Sequence, residues 1–526
     1  MVRIVLTADE TLMSSFRSIP LADFFGCAPY ILSLRWVYPL LNSELPHVNG
    51  IMKEAPYSLR KVEAALLSSG YDRRDVAVVH PRYLHRFIGD DTKIVGVSAM
   101  DPFGLGPVTM MFTNGGTLQS FTEHKFRELI GAINSIRKRR GTRFKLVVGG
   151  PSVWQLVRRK DEAIRMGIDH VVMGETEHVI GDIFRSIESD NANWLIMVRG
   201  FPDVDEIPPI VNPAYKGMVE VMRGCGRGCN FCLPNVRTAR YMPIEKIMKE
   251  IEVNKRGGLR RAWVHSDDIF LYELNDRRHF YPNREAVVNL FKEIMKEVND
   301  ANPTHGSIAP VVADPKLLPE LSRILKASPR HWIGIQPGLE TGSPSLIERH
   351  MRNKVKPFSP EEWPYVVLEG TYAFNSNYWF PAYTAIVGLP GETEEDAMET
   401  ARLIYTMEKV YRKEVGSLAR FVVASLAFVP MAALEEKEGF NPAEFMTEAR
   451  FLTIYWGWRT VVTEVERSLG MYTSNSPLLK YLIEPIARLG SRVIINRLRA
   501  FGRKLGYDPD RKLEPLEIKP KLESIV

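Results

Sequence analysis

Three of the four cysteines in this 526-residue chain fall within the segment RGCGRGCNFC at 223–232. Three residues separate Cys225 from Cys229, and two separate Cys229 from Cys232. Such crowding is too tight for a disulfide framework, so the thiols are expected to hold something else. The glycines between them let a short loop fold round a bulky object and turn its thiolates inward. Three readings compete. A structural zinc site needs four ligands, and the fourth would have to come from distant Cys27 or a histidine. A redox dithiol needs only the C-x-x-C of Cys229 and Cys232, and leaves Cys225 idle. A [4Fe-4S] cluster held by three cysteines uses all of them and leaves one iron open for substrate chemistry. The spacing, and the position directly after a strand signal, favour the cluster.

The composition around this loop is that of a globular enzyme, 45% hydrophobic and 25% charged with a net charge of +6. Four cysteines in so long a chain argue for a reducing compartment, hence a cytoplasmic protein. The start, MVRIVLTADE, lacks the basic region, long apolar core and cleavage site of a signal peptide. The longest nearly apolar run, 422–434, is well short of the roughly 20 residues that span a bilayer, so no transmembrane segment is expected. The mild charge does not call for nucleic acid. The basic, partly amphipathic stretch 491–512 reads as a solvated helix docked by its apolar side.

Two series of elements position the loop. Up to about residue 195, short β-branched runs (2–6, 76–80, 93–99, 144–150, 170–174) alternate with helical patterns. Phe126, Leu129, Ile130, Ile133 and Ile136, for instance, follow one helix face. This alternation indicates an α/β fold with a doubly wound parallel sheet, whose ligands bind at the carboxyl ends of the strands. Ser98, Gly149, Gly150 and Gly174 stand at those ends. A long connection at 11–55, holding Cys27, is expected to act as a lid or substrate loop. After a linker at 196–216, strands are expected at 218–222, 262–265, 307–312, 332–336, 383–387 and 421–428, with helices between them. They suggest a second, barrel-like parallel sheet over 217–435. TEED at 393–396 offers a helix-start box, and 436–526 reads as helical.

The cysteine spacing, with Phe231 before the last thiol, resembles the signature of the radical S-adenosylmethionine (SAM) enzymes. WVHSDDIF (263–270), GLETGSPSLIERHM (338–351) and IVGLPGETEED (386–396) follow in that family's order. KLVVGGPSVWQL and HVVMGETEHVIGDIF resemble the Rossmann-like cobalamin-binding domain of its class B methyltransferases. The resemblance implies a cobalamin-binding domain over 1–195, a partial (β/α)6 radical SAM barrel over 217–435, and a cluster on Cys225, Cys229 and Cys232. It also implies cleavage of SAM to a 5′-deoxyadenosyl radical, with methylation of an unreactive carbon through cobalamin.

Carried over residue by residue, it offers Phe231, Asp267, Asp268, Glu340 and Gly388 to SAM. Glu340 also suits a helix start, the two aspartates a turn cap, and Gly388 with Gly391 a tight turn. Ser98, Gly149, Gly150, Gly174 and Glu175 are the cobalamin candidates. The loop TADETLMSSFRS lacks the Asp-x-His-x-x-Gly histidine of many cobalamin domains, and His80 and His85 do not supply the spacing. Leu12, Met13 or Arg17 would then cover the lower face of cobalt. Cys27 reads as a buried or loop cysteine, with a catalytic or cluster-capping role as the alternative.

TADETLMS and the barrel motifs are similar to archaeal cobalamin-dependent enzymes, including those that methylate a glutamine of methyl-coenzyme M reductase. That implies a post-translational modification of a protein or peptide substrate, with ferredoxin or flavodoxin as electron donor. The alternatives are a lipid or small-metabolite substrate, and a non-catalytic cobalamin and iron–sulfur sensor.

Overall fold

The computed structural model describes residues 2–18, 22–233, 237–473 and 477–517, so the end of the expected C-terminal region, 518–526, lies outside the described residues. The chain divides into two compact units. The first comprises Met1–Val221, Arg240–Trp263 and Glu297–Asp300, and the second Met222–Ala239, Val264–Lys296 and Ala301–Val526.

In the first unit, strands β1 (Ile4–Ala8), β2 (Val76–Val78), β3 (Ile94–Ser98), β4 (Lys145–Gly149), β5 (His170–Met173) and β6 (Leu195–Met197) form one parallel sheet in the order β2-β1-β3-β4-β5-β6. Helices α1 (Leu32–Leu41), α2 (Tyr57–Ser68), α3 (Phe121–Arg140) and α4 (Ile180–Glu188) lie between the strands in sequence. The period of two along each strand sorts its side chains between two cores. Val5, Val95, Val97, Leu146 and Val148 join the apolar stripe of α3. Ile4, Leu6, Ile94 and Val147 join Leu59 and Leu66 of α2 and Phe184 of α4. Both faces are thus buried, which is why the strands read as nearly continuous apolar runs. The strand order reverses between β1 and β3, and at that switch point Ala8 pairs with Ser98 and Ser98 with Gly149. Edge strand β6 begins where the sequence reading places a linker. Its side chains are only partly buried, so it carries a weaker apolar signal.

The 11–55 connection is more built than an open lid. It contains α1 and a hairpin of His47–Val48 with Ile51–Met52, and its Phe16 and Tyr38 form an aromatic core with Phe121 of α3.

The first unit also holds β7 (Met218–Glu220), α5 (Ile244–Arg256) and the first half of β8 (Arg261–His265). In the second unit come β9 (Asp300–Pro303) from Ala301 on, α6 (Ala309–Ala313), β10 (Ile333–Ile335), β11 (Gly338–Glu340), α7 (Pro344–Met351), α8 (Trp363–Ser376), β12 (Trp379–Val387), α9 (Glu394–Thr406) and β13 (Val422–Ala427). The strand expected at 307–312 is replaced by α6. Pro310 sits in the first turn of that helix, where its missing N–H costs nothing. The strand is β9 instead, whose sequence DANP carries no β-branched signal. The long strand β12 pairs in parallel with β10, β11 and β13. The box at 393–396 forms as expected: Thr393 Oγ1 accepts the Asp396 N–H at 3.2 Å, and the Asp396 carboxylate accepts the Thr393 N–H at 2.9 Å.

Two long helices, α10 (Glu448–Thr473) and α11 (Pro477–Lys504), follow. Helix α10 packs on α9 and β13, and α11 packs on α10. No helix among the described residues is long and apolar enough to cross a membrane.

Candidate functional site

The cysteine loop belongs to the second unit. Gly224, Gly226 and Gly228 all have φ between +72° and +74°, a left-handed conformation that side chains disfavour. At Gly224 a Cβ would also lie 2.8 Å from the Arg237 carbonyl oxygen, so the chain crosses itself only because residue 224 is glycine. Asp267 pins this crossing, its Oδ2 accepting the Gly224 N–H at 2.5 Å.

Arg227 anchors the middle of the loop. Only 3% exposed, it donates to the carbonyls of Asn353 (2.6 Å) and Lys354 (3.1 Å) and to Ser307 Oγ (2.9 Å). The Asn353 amide in turn donates to the Arg227 carbonyl at 2.9 Å. Asp268 completes the group by accepting Ser307 Oγ–H at 2.5 Å and Ser307 N–H at 3.0 Å, with Arg227 Nε at 3.4 Å. Both aspartates offered to SAM or to a turn cap are thus engaged here in shaping the cysteine loop. Further on, Asn230 N–H donates to the His350 carbonyl at 2.9 Å.

The thiols this scaffold carries are all free. Burial pushes Cys225 up to about 12 and raises Cys229 and Cys232 as well, and Cys232 is raised further by Cys229 and Cys225. Left to themselves they would be neutral thiols; a bound metal centre is what compensates three buried thiolates. Among the described residues no group of three or more His, Cys, Asp or Glu side chains is placed to hold a single metal ion. The donor set fits a cluster with one iron left open. Phe231 is half-buried in the turn between Cys229 and Cys232.

Beside the thiols lies a charge pair that sequence reasoning missed in part. Lys354 Nζ stands 3.2 Å from Glu340 Oε1, and Glu340 Oε2 accepts Thr384 Oγ1–H at 3.2 Å. Glu340 has φ +63°, at the irregularity where the register of β11 on β12 shifts. Burial lowers the Lys354 ammonium's pKa, but Glu340 and then Cys229 more than offset this, so Lys354 stays cationic. Lys354 lies three residues beyond the GLETGSPSLIERHM motif in the sequence, yet only the fold brings it to the cysteines. Gly388 has φ +83°, its N–H donates to Glu392 at 2.9 Å, and a Cβ there would run into the Phe440 ring. Its glycine is thus explained by the turn, as is that of Gly391, which packs against Arg349.

In the first unit, the carboxyl edge of the sheet gives a mixed picture. Glu175 is buried and paired with Arg240 Nη2, at 2.8 and 2.9 Å. At Gly150 and Gly174, both with φ near +120°, a Cβ would lie 2.5 Å from Ala99 O and 2.6 Å from Val198 O. Close approach of neighbouring backbone accounts for these two glycines without a ligand. Gly149 differs, since a Cβ there makes only ordinary contact, at 3.8 Å from Val172 O. Ser98 Oγ lies 3.1 Å from Ser58 Oγ.

The residue missed is Asp9, directly after β1 at the switch point. Its Oδ1 accepts the N–H and hydroxyl of Thr11 at 2.8 and 2.5 Å, while its Oδ2 is buried without a hydrogen-bond partner. Burial raises this carboxyl to about 6. The Tyr38 hydroxyl, which senses Asp9, is likewise buried without a partner. A polar ligand is the usual remedy for such orphaned groups. Of the lower-face candidates, Met13 is sealed in the core and Arg17 donates to the Leu40 carbonyl at 2.5 Å; Leu12 is half-buried. His80 is buried with its pKa lowered to about 4 by burial, and His85 is exposed. Cys27 is half-buried near Thr109 and Asp101, and burial pushes its thiol up to about 11.

Residues 219–404 match the Radical SAM superfamily. The matched region contains the cysteine loop, Glu340 and Lys354. Over 82% of its length the chain shares its fold with the radical S-adenosylmethionine methyltransferase TsrM from Kitasatospora setae, in a structure with tryptophan substrate and a SAM analog bound. The TM-score is 0.52 at 15% identity, and 75% of TsrM is covered. A second TsrM structure, with cobalamin and a [4Fe-4S] cluster bound, aligns with a TM-score of 0.51 at 14% identity and 74% coverage. Among curated proteins, the tRNA-2-methylthio-N(6)-dimethylallyladenosine synthase of Fusobacterium nucleatum is 23% identical over 56% of this chain and 64% of its own length. The ribosomal protein uS12 methylthiotransferase RimO of Aeromonas hydrophila is 26% identical over 42% of this chain and 47% of its own. The chain thus spans about half to two thirds of these relatives.

Proposed function

We propose that this chain is a cobalamin-dependent radical SAM C-methyltransferase acting on an unactivated sp3 carbon of a protein, with a glutamine of methyl-coenzyme M reductase as the substrate to test first. The observation that carries the reading is the set of three buried thiols with the Glu340–Lys354 pair beside them. Cys225, Cys229 and Cys232 would ligate the cluster, and Glu340 and Lys354 would hold the amino and carboxylate groups of SAM. Asp9, Ser98 and Gly149 would meet cobalamin at the switch point of the first sheet. When bound, these groups supply the electron that cleaves SAM and the carrier for the methyl group.

The chain's own part is positioning. Arg227, Asp267 and Asp268 fix the loop that aims the thiols. Lys354 keeps a cation next to groups that are anionic when ligated, and the low exposure of the pair keeps water from screening it. The likeness to a ribosomal-protein methylthiotransferase supports a macromolecular substrate, and ferredoxin or flavodoxin would supply the electron.

The test is an anaerobic turnover with reconstituted cluster, cobalamin, reductant and trideuteromethyl-SAM, on a peptide from the glutamine segment of methyl-coenzyme M reductase. A labelled peptide with 5′-deoxyadenosine, absent in Cys225→Ala, is expected. Deoxyadenosine without labelled peptide would keep the radical chemistry and discard this substrate in favour of a lipid or small metabolite. No SAM cleavage from a fully loaded protein would leave a cobalamin and iron–sulfur sensor.

A further inference from the structure

Helix α11 is apolar on two sides. Its inner stripe, Ser491, Ile495 and Gly502, is buried, and Gly502 lies so close to the Phe451 ring of α10 that a Cβ would run into it. On the other side Leu489 is 64% exposed, Val493 41% and Ile494 36%. The expectation of one apolar side docked and the rest solvated is therefore only half met. Single exposed aliphatics need no explanation, but three within six residues of one helix do.

Their setting is cationic. Residues 485–507 contain five arginines and one lysine and no acidic residue. Arg499 and Arg503 share Asp510, at 2.8 and 3.5 Å. Arg492, Arg497 and Lys504 are exposed and have no acidic partner among the described residues. At 100° per residue, Arg492 and Arg497 flank the ridge of Leu489 and Val493, and Lys504 continues it two to three turns on.

We propose that this outward face of α11 seats the protein on an anionic lipid surface. The face asks for two things at once: anions within reach of guanidinium groups, and an apolar layer just beyond them. A phospholipid interface supplies both, with phosphates outside and acyl chains a few ångströms deeper. RNA supplies the phosphates but has no use for Leu489 and Val493, which argues against it here. The attachment is peripheral, because no helix among the described residues could cross a bilayer. It holds whatever the substrate proves to be.

The experiment is flotation of the full chain with phosphatidylcholine vesicles, with and without a minority of phosphatidylglycerol. Wild type is expected to float only with the anionic vesicles, and less as salt is raised. The variant Arg492→Gln/Arg497→Gln/Lys504→Gln should bind about a hundredfold more weakly. Leu489→Ser/Val493→Ser should also bind more weakly, but with its salt dependence intact. All replaced side chains are exposed, and circular dichroism confirms that the fold is kept. Equal flotation with both vesicle types, or unchanged flotation of either variant, would overturn the proposal. So would tRNA displacing the protein from vesicles in wild type while the triple variant fails to bind it, which would assign the face to RNA.

Discussion

Glu340 Oε1 and Lys354 Nζ meet at 3.2 Å in a place that exists only because residue 338 is glycine: a Cβ there would run into both groups. The pair comes from β11 and from the turn after α7, so a strand end and a helix exit have to be brought together to form it. Both side chains are about nine-tenths buried, at 11% and 12% exposure, and removing one partner strands the other's charge. Lys354→Met should cost about 3 kcal/mol of stability in chemical denaturation. It should also abolish SAM cleavage while leaving iron content near wild type. Glu340→Gln keeps the shape, and is expected to retain more stability than Lys354→Met but to weaken SAM binding in equilibrium dialysis.

Gly149 and Gly150 are adjacent but answer to different demands. With φ +116° and the Ala99 carbonyl oxygen 2.5 Å from a would-be Cβ, Gly150 has nowhere to put a side chain. The obstacle is backbone and cannot rotate away. Gly150→Ala should lose about 3 kcal/mol, seen as a lower denaturation midpoint. Gly149→Ala meets only ordinary contacts and should fold with less than about 1 kcal/mol of loss. Its effect should appear in cobalamin affinity, measured by titration of the corrin absorbance.

These contrasts show what could be read before the fold was known. The cysteine triplet was legible because its three thiols sit within one loop, where spacing alone brings them together. The first sheet was legible because strands buried on both faces leave continuous apolar runs such as KLVVGG. Lys354 was not, because nothing local distinguishes it from any lysine after a helix; its partner lies 14 residues earlier on a strand. Asp268 stood between a ligand and a turn cap for a similar reason, since Ser307 and Arg227, which meet its carboxylate, are 39 and 41 residues away. SIAPVV misled because β-branched residues outvoted one proline that starts a helix.

Arg227 and Asp268 form the hinge between the cysteine loop and the segment at 353–354. Arg227→Met leaves the carbonyls of Asn353 and Lys354 without their donor and the Asp268 carboxylate, held by Ser307, without its cation, in a site 2–3% exposed. A loss of about 3–5 kcal/mol is expected for a buried charge left unpaired. Asp268→Asn keeps one acceptor for Ser307 and should be milder. Both should lower iron incorporation on anaerobic reconstitution, whereas a role confined to holding SAM would leave it unchanged.

Asp9 sets a pH dependence of its own. Its carboxyl titrates near 6 in the folded protein against 3.8 for an ordinary aspartate, because burial penalises the charged form. A raised folded pKa means the stabilising protonated form is fully present below about 4, and its contribution is lost as pH rises through about 6. Without a ligand, Asp9 should therefore cost the protein about 3 kcal/mol at neutral pH. Glu392, also pushed up to about 6 by burial, titrates in the same window, and His80 and His305, both lowered to about 4 by burial, act across it with the opposite sign, so the wild-type profile contains all four. Asp9→Asn keeps the oxygen that accepts from Thr11 and removes the charge. It should raise stability at pH 7 and remove Asp9's share of the fall between pH 4 and 6, read as the difference between variant and wild-type denaturation midpoints across that range. If the orphaned Oδ2 is there to meet cobalamin, the same variant should bind the corrin about tenfold more weakly, the cost of one lost charge-assisted hydrogen bond. A variant that is more stable yet binds cobalamin as well as wild type would show that Asp9 serves some other partner at the switch point.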